Sequence, residues 1–396
     1  MADSTDWIIK LVDDVSKPAK DAMKALAALE KQVKGIDKTA KGAEDAFKKL
    51  GRSAKSFSDI RFERAANLNQ AAEATGRFGA AIVGALRKPV ESFADFDQAM
   101  AKVSAKTGEM RGSKGFETLR EQALGLGAAT KYSATEVAAA QAEFAASGRN
   151  TQEVLAALPG TLSLATAGTI DLAEATRYTN ETLNQFGLDA DKTLYVQDVL
   201  ARADEVSAAS IIDLGEAFSY VGSTMRSLNI PIQEGAAYLS LLADSGLKAS
   251  RGGTMFQAML SRLKSPSNEA VKALSKLGLK QQDILEIQDQ LATGKVAPAL
   301  ETISTRLDKV TPAKRQQLMT DIFGQEGERA ANALFPKISD KTDKGLTARL
   351  AAFEKVDGAV DRTAKIMESS LAGNIERAGG ALSGLSTKIG EVMAPR

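Results

Sequence analysis

TKYSATEVAAAQAEFAASG, residues Thr130 to Gly148, reads as one complete helix with both ends written into it. Ser133 followed by Glu136 is the spacing of a capping box, in which two side chains satisfy N–H groups that the first helical turn leaves without partners. The residues that follow are strong helix formers, and Gly148 stands where a left-handed residue ends a helix. Val137, Ala140, Phe144 and Ala145 fall on one face, and the spacing puts Gln141 and Glu143 off it. Such an apolar face needs other helices to cover it, so the stretch predicts an all-α fold.

Further along, Asn150 with Glu153, Asp171 with Glu174, Asp189, and Ser210 with Asp213 each mark a helix start. Pro231 opens another helix, Gly246 closes it, and Pro266 closes the one after. The connections are short, which predicts sequential helices lying antiparallel and adjacent. No period of 20 to 50 residues recurs, so a solenoid is not expected.

The 396 residues suffice for two or more domains, and 44% hydrophobic content suffices for a core. Aromatic residues make up only 5%, and alanine supplies much of the apolar total, which predicts thin cores spread along closely packed helices. The 51 basic and 50 acidic residues cancel, so no global field favours nucleic acid or an anionic membrane surface. With no cysteine and no histidine, disulfides, thiolate metal sites and most hydrolase constellations are excluded. MADSTDW lacks the charged and apolar regions of a secretory signal, and no apolar run approaches the roughly 20 residues of a membrane span.

Both ends carry heptad patterns. Trp7 to Val12 (WIIKLV) suits a strand or a short helix. Beyond it Ala19, Ala22, Leu26, Leu29, Val33, Ile36, Ala40, Ala43, Phe47 and Leu50 form a seam, with Lys24, Glu30, Lys31, Lys38 and Asp45 outside it. Two readings fit: an amphipathic helix packed on its own chain, or self-association into a parallel coiled coil about 50 Å long at about 1.5 Å per residue. Gly35 and Gly42 weaken the seam, and Phe78 to Leu86 (FGAAIVGAL) suits close helix packing. At the other end Ala364, Met367, Leu371, Ile375, Ala378, Leu382, Leu385, Ile389 and Val392 make a second seam, with a slip at Leu371 and with glycines that make it depend on a partner. The expected architecture is a compact multi-helix core with two heptad arms: an N-terminal arm over 1–92, a core domain over 93–265, a trailing helical region over 266–356 and a C-terminal amphipathic helix over 357–396.

The motifs FDQAM (Phe96 to Met100), Leu124 to Gly148, DLAEATRYTNETLNQFGLDA (Asp171 to Ala190), Val196 to Gly222 and GLKASRGGTMFQAMLSRL (Gly246 to Leu263) stand in an order that resembles the core of phage tail tape measure proteins of the TP901 type. LSKLGL (Leu274 to Leu279) and IFGQEGERAANAL (Ile322 to Leu334) resemble the trailing segments of that family more weakly. The resemblance implies a structural protein that sets tail length from within the tail lumen of the virion, after assembly in the host cytoplasm. It implies tail tube, baseplate or hub proteins and tail assembly chaperones as partners. Relatives usually continue past a helix of the last kind, so the ending at Arg396 suggests a short member, a processed fragment or a truncated chain. A contrasting reading is a membrane-acting helical effector delivered through a phage-like tail, using Phe78 to Leu86 or the C-terminal helix.

No residue is assigned a catalytic, cofactor-binding or metal role, and no enzyme activity, sequence-specific nucleic-acid binding or stable membrane span is expected. Gly246 to Thr254 has the composition of an anion-binding nest without the Gly-Lys-Ser/Thr of a phosphate loop, and a tight turn feeding a closely packed helix explains it better. Glu121, Glu136 and Glu143 are the acids that glycoside hydrolysis would call on, but that chemistry needs a carboxyl pair in a cleft. Capping accounts for Glu136, and Glu143 lies on a polar face. Tyr132, Tyr178, Tyr195, Tyr220 and Tyr238 suit anchors at helix interfaces. Arg177 and Arg202 are isolated among acidic neighbours, unlike the basic and aromatic interleaving of a nucleic-acid surface.

Overall fold

The computed structural model describes residues 91–369 together with Ser383, Gly384, Ser386 and Thr387. Helix α1 covers 91–107. It is followed by α2 (Lys114–Ala129), α3 (Ala134–Ala146), α4 (Thr151–Gly168), α5 (Leu172–Phe186), a 3₁₀ turn (Ala190–Lys192), α6 (Thr193–Val206), α7 (Ile211–Ser227) and α8 (Ile232–Asp244). Then come α9 (Ala249–Lys264), α10 (Asn268–Lys276), α11 (Gln281–Ala292), α12 (Val296–Leu307), α13 (Pro312–Ser339), α14 (Leu346–Phe353) and α15 (Ala359–Glu368). Among the described residues there is no strand, and the fold is all-α. Helix α13 is interrupted at Gly324, whose φ of 70° and ψ of 172° leave the helical region.

The helix ends follow a repeated rule. In α3 the Ser133 hydroxyl accepts the Glu136 N–H at 3.2 Å while the Glu136 carboxylate accepts the Ser133 N–H at 2.7 Å. Asn150 with Glu153 and Ser210 with Asp213 form the same box. At the other end of α3, Gly148 has a φ of 86° and donates to the Ala145 carbonyl, while Arg149 donates to that of Phe144. This paired arrangement is a Schellman cap. It recurs at Gly187, Gly246, Gly278 and Gly294, and also at Thr169 and Asn229, which adopt positive φ without being glycine. The residue after the left-handed one is apolar in five of these caps (Ile170, Leu188, Ile230, Leu247 and Leu279), and it pins each turn to the core.

These turns do not produce the expected series of antiparallel neighbours. The α4–α5 turn bends the chain by 114° rather than folding it back. The most extensive packing therefore joins alternate helices, α5 on α7 and α7 on α9, with α9 also lying on α13. Helices α2 and α3 do form an antiparallel pair. Gln141 donates to the Leu119 carbonyl at 2.9 Å, and Gly127 lies against the start of α3, where a Cβ would come within 2.5 Å of the Ala134 nitrogen.

A hydrophobic cluster runs from Phe96 in α1 to Ala364 in α15. Helix α9 sits inside it, held between two backbones that only glycine lets so close. A Cβ at Gly253 would come within 2.5 Å of the Ala217 carbonyl oxygen, and one at Gly327 within 2.9 Å of the Met259 nitrogen. Tyr238 and Phe256 pack at 5.4 Å between ring centroids and Phe186 and Phe218 at 5.1 Å, both within the range of favourable aromatic pairs.

Three local expectations need correction. Gln141 is fully buried rather than off the apolar face, because its amide reaches Leu119 and Gln122 and so satisfies its donors inside the core. Asp171 stands at the start of α5, but its side chain makes no capping hydrogen bond. Asp189 opens a single 3₁₀ turn, and α6 itself starts at Thr193. Trp7 to Val12, the seam from Ala19 to Leu50, the Phe78 to Leu86 run and the C-terminal positions Leu371, Ile375, Ala378, Leu382, Leu385, Ile389 and Val392 lie outside the described residues.

Candidate functional site

Helices α5 and α7 run parallel and meet at a heptad interval on both sides. A Cβ at Gly215 would lie 2.6 Å from the Tyr178 ring, and one at Gly222 would lie 2.7 Å from the Gln185 Cβ. Because the two glycines let the backbones approach, the side chains beside them stand as the walls of a shallow groove of about 510 Å³. Arg177, Glu181 and Gln185 come from α5, and Glu216, Ser219 and Tyr220 from α7. Beyond Gln185 the groove continues into a hollow of about 460 Å³ bordered by Asn184, Ser223 and Arg226.

The groove is polar with an aromatic floor. The Arg177 guanidinium lies 4.1 Å from the centroid of the Tyr178 ring and 3.3 Å from the Glu181 carboxylate. Burial lowers the Arg177 pKa, and its hydrogen bonds and charge interactions with Tyr178 and Glu181 outweigh that and raise it overall. Tyr178 is buried beneath, whereas Tyr220 is 47% exposed and presents its ring to the opening. Among the described residues Asp171, Glu174 and Glu216 have no cationic side-chain partner.

A second polar cluster anchors the end of the described chain. Arg349 of α14 is buried and donates to Ser240 Oγ at 3.2 Å and to Asp244 Oδ2 at 2.7 Å, both in α8. Arg202 of α6 donates to the Ala352 carbonyl at 2.9 Å and pairs with Glu205 at 2.7 Å, and Glu205 in turn accepts from Thr363 of α15 at 2.7 Å. Asp198 of α6 accepts the N–H groups of Gly358 and Val360, each at 3.0 Å, and so caps α15. Burial pushes the Asp198 carboxyl above its ordinary range, the two backbone donors pull it down, and Asp361 and Asp357 add to the rise. Burial, helped by Asp357, pushes Tyr195 up to about 12.

The residues flagged in the sequence are dispersed apart from Arg177, Tyr178 and Tyr220, which the fold gathers into the α5–α7 groove. Glu136 is held in its capping box, while Glu121 and Glu143 are exposed on different helices. Tyr132 and Tyr238 are buried, and the Tyr238 hydroxyl donates to Glu234 at 3.0 Å. Of Gly246 to Thr254, all but the first three residues belong to α9, and Gly252 and Gly253 are buried. Lys248 reaches the Ala208 carbonyl and lies 3.8 Å from Asp213. Among the described residues no group of three acidic side chains gathers as a metal site, and no single helix is long and apolar enough to cross a membrane. The bent pair α4–α5 reaches that apolarity jointly, with Leu158, Leu162, Leu164 and Leu183 buried in the core.

Of the groove's determinants, Gly215 and Gly222 show in the sequence only as two glycines seven residues apart in a helical pattern, a sign of close packing. Asp198 and Arg349 carried no such sign, since their partners lie far away along the chain.

Residues 120–324 match the phage-related minor tail protein family. The chain is 31% identical over 304 residues to the tape measure protein of Pneumococcus phage Dp-1, covering 76% of this chain and 25% of that protein. It is 30% identical over 301 residues to the probable tape measure protein of Escherichia phage P2, covering 74% of this chain and 36% of that one. The chain thus spans only a quarter to about a third of these curated relatives. No solved structure matches it.

Proposed function

The chain belongs to the phage-related minor tail protein family, and from that premise we propose that it acts as a structural tail tape measure protein, or as the core portion of one. The observation that carries the reading is the match over about three quarters of the chain to two phage tape measure proteins. The mechanism is steric. Extended helical segments set the distance over which tail tube subunits polymerise inside the virion, while the helical core provides a folded body at one end. Self-association through the heptad arms, contact with tube, baseplate or hub proteins and assembly chaperones, and a place in the tail lumen after assembly in the host cytoplasm belong to the same proposal. So does the absence of enzymatic activity, in keeping with Glu136 being held in its capping box and with Glu121 and Glu143 being exposed on different helices. Most apolar side chains of α4 and the apolar face of α5 are buried in the core, which weighs against their use by a membrane-acting effector.

Deleting heptads in frame from an extended segment of the intact protein should shorten tails by about 10 Å per heptad, at about 1.5 Å per residue. Tail lengths measured by electron microscopy that stay unchanged would overturn the ruler.

A further inference from the structure

The near-neutral chain is divided into charged parts. Residues 1–90 hold 17 Lys and Arg against 12 Asp and Glu, whereas residues 91–250 hold 12 against 21. The basic excess is patterned: Lys20, Lys24, Lys31, Lys34, Lys38, Lys41 and Lys48 fall in one stripe of three- and four-residue steps, with Ala27 and Asp45 at the two remaining positions. In a helical register this stripe lies opposite the apolar seam through Leu26, Leu29, Val33 and Ile36.

The acidic half offers a matching surface. On the α5–α7 face, Glu174 and Glu216 have no cationic partner among the described residues, and Glu181 shares a single arginine. Glu174, Glu181 and Gln185 lie at helical spacing along α5, with Glu216, Ser219 and Ser223 facing them from α7, so the groove between the two helices accepts a third. Tyr220 stands exposed at its lip, placed to receive an ammonium or the aliphatic stem of a lysine on its ring.

We propose that the α5–α7 groove is a docking site for the lysine stripe Lys20 to Lys48 of the same chain. Several weak surface ion pairs act together here, and tethering supplies an effective concentration in the millimolar range for a linked partner. That concentration favours the chain's own acidic face over external phosphates. The apolar seam stays free for another helix, so the two faces of the segment serve different partners. The inference does not depend on the tape measure reading.

Zero-length carbodiimide coupling of the full chain tests it, because this reagent joins a lysine to a carboxylate only where the two touch. At low salt, peptide mass spectrometry should find Lys24, Lys31, Lys34 or Lys38 joined to Glu174, Glu181 or Glu216. These products should be lost at about 1 M salt, where the screening length is about 3 Å. Glu174→Lys with Glu216→Lys should abolish them, and adding Lys31→Glu with Lys38→Glu should restore coupling in the reversed sense. The lysine changes alone leave every residue of the α5–α7 groove unaltered and should also abolish coupling, which guards against misfolding of the groove variant. Coupling spread evenly over carboxylates of 251–369, or products found only between isotopically different copies, would overturn the assignment. So would loss of coupling on adding DNA, which would give the stripe to phosphate.

Discussion

Asp198 holds the start of a helix that begins 160 residues further along the chain, its carboxylate accepting the N–H groups of Gly358 and Val360 at 3.0 Å. A side chain in α6 thus does for α15 what a local cap residue does for most helices, and it ties α15 to the middle of the core. Asp198→Ala removes a cap and two charge-assisted hydrogen bonds, which predicts a loss of about 2 kcal/mol in urea unfolding. Hydrogen exchange should rise at 358–368 first and leave α9 protected. Uniform exchange across both helices would show that the cap is not a local anchor.

Acidity should act on the same group with a definite sign. Burial raises the carboxyls of Asp198, Asp204 and Glu234 above their ordinary values of 3.8, 3.8 and 4.5. A carboxyl with a raised folded-state pKa takes up its proton more readily when folded than when unfolded. Its contribution to stability therefore falls as pH rises from the ordinary value through the raised one, and is recovered as pH falls. Asp340, exposed and lowered by hydrogen bonds from Thr342, works in the opposite sense below its ordinary value. Thermal midpoints should rise on mild acidification from neutral pH, and Glu234→Gln should flatten that rise.

Arg349 and Asp244 form a largely buried ion pair at 2.7 Å, and the other Asp244 oxygen accepts the Ala208 N–H at 2.8 Å. Removing one partner leaves the other uncompensated. Arg349→Ala should lose about 3 kcal/mol, whereas replacing both partners with apolar residues of similar volume should lose much less. A double-mutant cycle that shows no coupling would refute this.

Glycines with opposite surroundings give opposite outcomes. Gly253→Ala forces a Cβ to within 2.5 Å of a backbone oxygen of α7 and should destabilise by about 1–3 kcal/mol. Gly125→Ala, in a helix with nothing within 4 Å of its Cβ position, should stabilise by about 0.5–1 kcal/mol. Chemical denaturation of the two variants side by side checks both signs.

Thr169 and Ala249 hold positive φ values of 51° and 53° without being glycine. Left-handed backbone at a residue with a Cβ costs about 1–2 kcal/mol, so Thr169→Gly and Ala249→Gly should each raise the unfolding midpoint. A drop on either substitution would mean that side-chain contacts outweigh the backbone strain there.

The helices themselves were legible because their determinants are local. Ser133 and Glu136 lie three residues apart, and Gly148, Gly187 and Gly246 each end a helix within a few residues of where the apolar pattern stops. The groove was legible only in fragments. Arg177, Tyr178 and Tyr220 drew attention singly, but their proximity depends on Gly215 and Gly222 meeting α5 at the same heptad interval. Gln141 was misplaced because periodicity treats polarity as exposure, while a buried amide is tolerated once carbonyls such as that of Leu119 accept its hydrogens.

By itself the sequence determined the all-helical class, the positions of most caps and turns, and the absence of the histidine and cysteine that many active sites require. Each of these depends on residue type or on contacts within about one helical turn. Tertiary structure decided that α5, α7 and α9 stack as alternate helices, that α9 lies within the core, and that Asp198 and Arg349 bind the end of the described chain to its centre. Those outcomes depend on the angle of each turn and on which backbones glycine lets approach, quantities summed over many residues that no short window of sequence contains.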